Sequence, residues 1–200
     1  MPVTPALPPA IPGDLIMRLS VDQYHKMIDA GILGEDDPVE LIEGWLVARM
    51  SKNPPHRFSV RALYEALETL LPEGWHLDRQ EPITLETSEP EPDVFVARGT
   101  SKSYRKRHPG PGDLVLLVEV SEGTLKRDRG LKKRAYARAK IPIYWIVNLA
   151  AAQVEVYSDP TGPASRPDYR SRQDYGPTDK IPVVLDGQVI GRIRVAEILP

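Results

Sequence analysis

The chain has 200 residues, a formal net charge of −2, 27% charged and 41% hydrophobic residues, which is typical of a globular domain. It has no cysteine, which excludes disulfides, zinc–thiolate centres and thiol catalysis. No apolar run approaches the roughly 18 residues of a membrane helix, and no signal-peptide pattern opens the chain. The sequence therefore predicts a cytoplasmic protein that has no membrane partner.

Residues 1–14 contain prolines at five positions and predict a disordered tail. Residues 15–200 show no internal repeat and no second boundary, so they predict one domain. In chain order, the predicted elements are a helix 21–30, a hairpin 39–50 turning at 43–44, a helix 54–71, a strand 94–97, a strand 114–118, a helix 126–139, a strand 141–147, a strand 153–157 and a hairpin 183–190. The polar segment 158–180 predicts a long surface loop.

The stretch 113–147 predicts the centre of the fold. Residues 114–118 form an unbroken apolar run, which favours a strand buried on both faces. A helical pattern follows, Pro142 ends it, and a second apolar strand comes next. Strand, helix, strand is typical of a parallel crossover. The sequence thus predicts an α/β fold with a mixed central β-sheet flanked by α-helices.

Three acidic residues, Glu40, Asp93 and Glu119, stand beside apolar strand segments. A carboxylate near the end of a buried strand is costly unless it is paired or bound to metal. Phosphodiester hydrolysis uses a hard cation, and Mg²⁺ favours a few carboxylates plus water. Asp93 and Glu119 can share a cation only if their strands are neighbours. Each residue alone favours a solubilising role at a strand end, and the combination with a lysine is what indicates a catalytic site.

The acidic pattern resembles that of the restriction-endonuclease-like superfamily. Pro92-Asp93 followed by Glu119 on a strand is similar to its Pro-Asp … Asp/Glu-x-Lys motif. The lysine of that motif would stand two residues after Glu119, on the same face of the strand. This chain has Ser121 there, and serine supplies no cation.

That departure matches one branch, the Uma-two family of restriction endonucleases, which the chain resembles from about residue 20 to 157. The matching segments are Glu40 to Gly44, Pro54-Pro55-His56, Pro92-Asp93, Glu119-Val120-Ser121 (one residue shorter than in the family), Asp128/Lys132/Tyr136 and Tyr144 to Val147. The resemblance implies a restriction-endonuclease-like fold. It also implies a metal-dependent endonuclease that hydrolyses phosphodiester bonds in DNA.

The resemblance implies a metal site built from two carboxylates. Asp93 and Glu119 would bind Mg²⁺ or Mn²⁺, with the Val120 carbonyl as a further ligand. Glu40 would complete or support the acidic cluster. In this reading Glu40, Asp93 and Glu119 are catalytic residues.

The missing strand lysine has a candidate replacement in the following helix. Asp128, Lys132 and Tyr136 are spaced i, i+4, i+8 and share one helix face. Lys132 would reach back to the metal site as the catalytic lysine, with Asp128 and Tyr136 in supporting roles. The alternative is an ordinary Asp128–Lys132 surface pair. Lys133 is the rival lysine and is expected to face solvent.

Two segments, 102–107 and 126–140, are rich in lysine and arginine. A nearly neutral chain with such segments has a polarised field that suits an anionic polymer. Either segment alone favours a solvated surface, whereas the two together, flanking Glu119, are equally consistent with nucleic-acid binding. The predicted DNA-backbone contacts are His56, Arg105, Lys106, Arg107, Arg129 and Lys133. For His56, at a helix start, a capping or surface role is the alternative.

The sequence therefore predicts an endonuclease with Mg²⁺ or Mn²⁺ as cofactor and the DNA phosphate backbone as partner. By analogy with double-strand cutting by this fold, it also predicts a homodimer. The alternative is a non-catalytic nucleic-acid-binding or protein-interaction module on the same fold. Both readings predict salt-sensitive DNA binding, but only the enzyme needs metal and Asp93.

Overall fold

The computed structural model describes residues 17–34, 37–49 and 52–200. The predicted tail, residues 1–14, lies outside the described residues. The helices are α1 Val21–Asp29, α2 Pro54–Leu70, α3 Ser101–Tyr104, α4 Leu125–Arg127, α5 Lys133–Arg138 and α6 Val195–Ile198, with a π-helical turn Asp128–Lys132 between α4 and α5. The strands are β1 Val39–Ile42, β2 Trp45–Ala48, β3 Trp75–Asp78, β4 Val94–Arg98, β5 Leu114–Ser121, β6 Ile143–Asn148, β7 Gln153–Pro160, β8 Tyr169–Tyr175, β9 Lys180–Leu185 and β10 Gln188–Arg194.

Six strands form the central sheet in the order β3-β4-β5-β6-β7-β8. β5 and β6 are parallel, with Glu119 opposite Ile146, and the other neighbouring pairs are antiparallel. All eight residues of β5 are buried, as expected for an apolar strand covered on both faces. The prediction of a mixed sheet with a parallel central crossover is confirmed.

Alternating side chains divide the core between the two faces of the sheet. On one face, Leu63 and Leu67 of α2 pack with Trp145 and with the separate β9–β10 hairpin. On the other face, Tyr136 of α5 packs with Tyr144 and other tyrosines. Both faces of the sheet are therefore covered, and its strand ends remain available for a site.

The β1–β2 hairpin turns at Glu43–Gly44, as predicted from the sequence. Both residues have positive φ, 48° and 81°, which suits a two-residue hairpin turn. A side chain at Gly44 would approach the Arg18 Cβ to 2.6 Å, so glycine is required there. The hairpin places the buried Glu40 beside the central sheet. Residue 50, at the predicted end of the hairpin, lies outside the described residues.

Two sequence predictions of secondary structure were wrong in part. The segment 158–180 is not one loop, because it contains the edge strand β8 antiparallel to β7. Its polar residues lack the apolar alternation of a half-buried strand, and pairing with β7 defines the strand instead. The helix predicted over 126–139 is interrupted by the π-helical turn, which helical periodicity does not reveal.

Candidate active site

Asp93 and Glu119 meet at one end of the β4–β5 pair. Asp93 directly precedes β4, Glu119 lies near the end of β5, and Val94 pairs with Val118. Both acidic residues line a cavity of about 380 Å³. The cavity is also lined by Glu40, Arg49, Lys52, Asn53, His56, Gln80, Glu91, Val120, Glu122, Gly123, Thr124, Arg127 and Lys132. The structure therefore brings all four residues predicted as catalytic to one cavity.

Asp93 is held by one of its two carboxylate oxygens. Its Oδ2 accepts a hydrogen bond from the Val120 backbone N–H at 2.8 Å and lies 3.1 Å from His56 Nε2. Its Oδ1 has only a 3.5 Å contact with Gln80 Nε2. Burial opposes ionisation, but the bonds from His56 and Val120 hold the pKa of Asp93 below its usual value. Asp93 is therefore an ionised carboxylate with one oxygen free of close partners.

Glu119, like Asp93, uses one carboxylate oxygen for its hydrogen bonds and leaves the other without a close partner among the described residues. Its Oε1 accepts hydrogen bonds from Lys132 Nζ at 2.9 Å and from the Tyr136 hydroxyl at 2.7 Å. Within the described residues, Oε2 accepts no hydrogen bond. Burial raises the pKa of Glu119 to about 8, against the effect of Lys132, and the nearby Asp93 carboxylate adds to the rise. A raised pKa favours the protonated carboxyl group, and a cation bound at Oε2 would favour the ionised carboxylate instead.

Lys132 lies between two carboxylates. Its Nζ is 2.9 Å from Glu119 Oε1 and 3.2 Å from Glu40 Oε2, and the residue is 2% exposed. Burial opposes the charge, but Glu119 and Glu40 raise the pKa of Lys132 above its usual value. Glu40 Oε2 also accepts the Glu91 N–H, whereas its buried Oε1 has no hydrogen-bond partner among the described residues. Lys132 is therefore an ammonium at neutral pH, and the alternative of a surface pair with Asp128 is excluded.

Asp128 anchors the turn that carries Lys132. Its Oδ2 accepts hydrogen bonds from the hydroxyls of Ser121, at 2.6 Å, and Thr124. The Tyr144 hydroxyl donates to its backbone carbonyl at 3.2 Å. Asp128, Lys132 and Tyr136 are all buried on the side of the helical segment that faces the sheet. The three residues therefore share one face, as their spacing indicates. The segment from Asp128 to Lys132 is a π-helical turn, which is wider than an α-helical turn.

The donor set fits a hard divalent cation better than a closed transition-metal site. Asp93 and Glu119 each have an oxygen without a close partner, and Mg²⁺ takes one or two carboxylates and keeps several waters. In the described parts of the chain, no group of three or more histidine, cysteine, aspartate or glutamate residues has metal-binding geometry. A four-ligand structural zinc site therefore does not fit here.

The predicted basic loop does not join this cavity. The hydroxyl of Tyr104 donates to the carbonyl of Arg98, at the end of β4 opposite Asp93. Arg107 pairs with Asp113 at 2.6 Å. Arg105 and Lys106 are exposed on the same loop and do not line the cavity. The loop lies away from the cavity because it joins the end of β4 to the start of β5, whereas Asp93 and Glu119 lie at the opposite ends of these strands.

Three other predicted DNA contacts are engaged within the protein. Arg129 donates to the buried Glu155, with its Nε 3.0 Å from Oε2. Lys133 Nζ is 2.8 Å from Asp168 Oδ1, so Lys133 is not the lysine of the cavity. His56 lies in the cavity, but its Nε2 is directed to Asp93, and its buried Nδ1 has no partner in the part of the chain that the structure describes. Arg129 and Lys133 therefore each have an acidic partner outside the cavity, and their DNA contacts stay predictions.

Other cavity residues gave no signal in the sequence. Gln80 follows β3, has a positive φ of 58° and reaches Asp93. Lys52 precedes α2, and Arg49 follows β2 and pairs with Glu91. Arg127 lies in the basic segment, and its Nη1 donates to the Ala48 carbonyl at 2.7 Å. These residues converge only through packing of the hairpin and α2 against the strand ends.

The fold matches that of a known structure. It is similar to the crystal structure of a "putative nuclease belonging to DUF820" from Anabaena variabilis, with a TM-score of 0.64 and 15% identity over 90% of this chain and 97% of that chain. No curated protein sequence matches. The model of the Uma2 family, described as "Putative restriction endonuclease", matches residues 21–189. Because that match covers most of the chain, this protein belongs to the Uma2 family of nuclease-like proteins.

Proposed function

We propose that this protein is a divalent-metal-dependent endonuclease that hydrolyses phosphodiester bonds in DNA. Membership of the Uma2 family supports a nuclease-like activity. The observation that carries the proposal is Lys132 Nζ, which lies 2.9 Å from Glu119 in the cavity that Asp93 also lines. Lys132 supplies from a helix the cation that Ser121 does not supply from the strand.

Asp93 and Glu119 would hold the metal through the oxygens that have no close partner. The Val120 carbonyl would be a third protein ligand, since Val120 follows Glu119 and its N–H contacts Asp93. A bound Mg²⁺ or Mn²⁺ would act as a Lewis acid on the phosphate and would lower the pKa of a water molecule. A site with two carboxylate ligands agrees with the preference of Mg²⁺ for retained water.

The other site residues orient these groups. His56 and the Val120 N–H fix Asp93, while Tyr136 fixes Glu119. Glu40 holds the Lys132 ammonium from the side opposite Glu119. Such partners lock the geometry of a site before the substrate binds.

Lys132 would act as an electrostatic stabiliser rather than as a base. Its raised pKa keeps it protonated at neutral pH. Hydrolysis forms a P–O bond from water and breaks the existing P–O ester bond, and charge develops on oxygens around phosphorus during the exchange. A preorganised ammonium in a site with little water stabilises this charge most strongly in the transition state.

DNA would approach the cavity through its positive rim. Lys52 and Arg127 line the cavity and offer charge to the phosphate backbone. Phosphate contacts of this kind bind without reading base sequence. The homodimer remains an expectation from double-strand cutting by this fold, and the molar mass in solution measured by light scattering tests it.

Plasmid nicking with Mg²⁺ or Mn²⁺ tests the proposal. We expect wild type to nick supercoiled DNA and expect EDTA or Asp93→Ala to abolish nicking. Lys133→Ala is the matched control, because Lys133 pairs with Asp168 outside the cavity. If wild type binds DNA but cleaves none of a range of DNA substrates with any of these metals, the non-catalytic binding module is the correct reading.

A further inference from the structure

An open groove adjoins the candidate active site along α2. It has a volume of about 440 Å³ and is lined by Arg57, Phe58, Val60, Arg61, Arg79 and Gln80. Gln80 also lines the cavity and approaches Asp93. A polymer that enters the cavity can therefore continue directly into the groove.

The groove is basic, because three of the described residues that line it are arginines and none of them is acidic. Arg57 and Arg61 are four residues apart on α2, so they lie about 6 Å from each other along its axis. The Arg79 guanidinium lies over the Tyr64 ring, 4.9 Å from its centroid. Arg61 shares its charge with the exposed Glu65, whereas Arg57 has no ion-pair partner among the described residues. The row of guanidinium groups suits successive phosphates of one strand.

Phe58 lies among these arginines and is 50% exposed. The other apolar side chains of this part of α2, such as Val60 and Leu63, are buried against the sheet. Packing therefore does not explain Phe58. An exposed aromatic ring bordered by arginines is the arrangement on which proteins stack unpaired nucleic acid bases.

We propose that the groove binds a DNA strand as it leaves the cavity, with phosphates at Arg57, Arg61 and Arg79 and an unpaired base stacked on Phe58. This inference rests on the proposed nuclease function and specifies its substrate as DNA with unpaired bases beside the cleaved bond. A fully paired duplex offers its phosphates to the arginines but keeps its bases stacked within the helix, out of reach of Phe58.

Fluorescence anisotropy in EDTA tests the groove without metal or cleavage. The probes are a labelled single-stranded DNA and a fully paired duplex of equal length. Phe58→Ala should weaken single-strand binding roughly fivefold or more, since the loss of one stacked base has at least this effect. Duplex binding should change less than about twofold, and Phe58→Tyr should retain single-strand affinity. Val189→Ala is the control, because Val189 is 54% exposed on β10.

The arginines are tested by the salt dependence of the same binding. Arg57→Ala and Arg79→Ala should each reduce the slope of log K against log salt by about 0.7 on single strands. Arg192→Ala, an exposed arginine of β10, should leave the slope unchanged.

Equal weakening of both DNA forms by Phe58→Ala, or no weakening, would overturn the stacking role. Tighter binding of a single-stranded RNA of the same sequence would overturn the assignment to DNA. If the groove variants bind DNA like wild type while nicking still depends on Asp93, the groove proposal is refuted and the nuclease proposal stands. If the groove variants lose DNA affinity as expected but wild type nicks no DNA, the groove is a DNA-binding surface and the nuclease proposal is refuted.

Discussion

Ser121 Oγ donates a 2.6 Å hydrogen bond to Asp128 Oδ2, so the end of β5 is joined to the first residue of the π-helical turn. Ser121 occupies the strand position at which the superfamily motif has its lysine. The turn that starts at Asp128 ends at Lys132, whose ammonium contacts Glu119. The serine at the position of the motif's lysine is thus hydrogen-bonded to the turn that carries Lys132.

Ser121→Ala should lower the free energy of unfolding by about 1–3 kcal/mol, because the buried Asp128 carboxylate loses a donor. It should also slow metal-dependent cleavage, since the turn that aims Lys132 is less firmly held. Urea unfolding and plasmid nicking measure the two effects. Ser171→Ala, on the exposed side of β8, is the control and should change neither. Unchanged stability in Ser121→Ala would show that the hydrogen bond does not hold the turn.

Lys132→Met should lower the free energy of unfolding by about 3 kcal/mol, because Glu119 and Glu40 would lose their buried cation. At a temperature where this variant stays folded, cleavage should fall by about a hundredfold or more. Lys133→Met should cost less than about 1 kcal/mol, since its partner Asp168 is exposed. Chemical denaturation and nicking provide the comparison. Cleavage that survives Lys132→Met but not Lys133→Met would identify Lys133 as the catalytic lysine.

His56→Ala should weaken Mn²⁺ binding by about 10- to 100-fold, because His56 fixes the Asp93 carboxylate. Asp93→Asn should remove the binding, and EDTA should abolish cleavage by wild type. Isothermal titration with Mn²⁺ gives the affinities directly. The control His108→Ala alters an exposed histidine outside the cavity and should bind Mn²⁺ like wild type. Wild-type affinity in Asp93→Asn would rule out the proposed metal site.

Lys52→Glu should weaken DNA binding and reduce the slope of log K against log salt on duplex DNA by about 0.9, as for one lost phosphate contact. The double reversal Arg105→Glu/Lys106→Glu should have a smaller effect, because that loop does not line the cavity. Anisotropy over a series of salt concentrations compares the two proteins. A larger loss in the loop variant would show that the phosphate backbone crosses the far end of β4.

Glu155 should make the free energy of unfolding depend on pH in the acid range. Burial opposes its charge, but hydrogen bonds from Arg129, Tyr157 and Asn148 lower the pKa of Glu155 to about 2, from 4.5. Its contribution is therefore complete above about pH 4.5 and is lost as the pH falls towards about 2. The unfolding free energies of wild type and Glu155→Gln should differ by about 2 kcal/mol at neutral pH, allowing for the partly exposed arginine partners.

Denaturation at a series of pH values measures that difference. It should shrink steadily below about pH 4.5. A difference that stays constant down to about pH 2 would show that the Glu155 charge does not stabilise the fold.

The sequence by itself determined the elements whose signals are local. The apolar run of β5, Pro142 before β6 and the Glu43–Gly44 turn each predict structure from a few neighbouring residues, and all are present. Asp93 and Glu119 also follow from local motifs. Parallel pairing of β5 with β6 is expected once a helix joins them.

Only the tertiary structure decided the features that depend on partners distant in sequence. β8 forms because β7 offers it an unpaired edge, although its own residues are polar. Arg129 and Lys133 look like free cations in the sequence, but Glu155 and Asp168 engage them after folding. The convergence of Glu40, His56, Gln80 and Lys132 on two strand ends has the same cause. Ion pairs and edge pairing are chosen by three-dimensional proximity, which neither periodicity nor charge along the chain encodes.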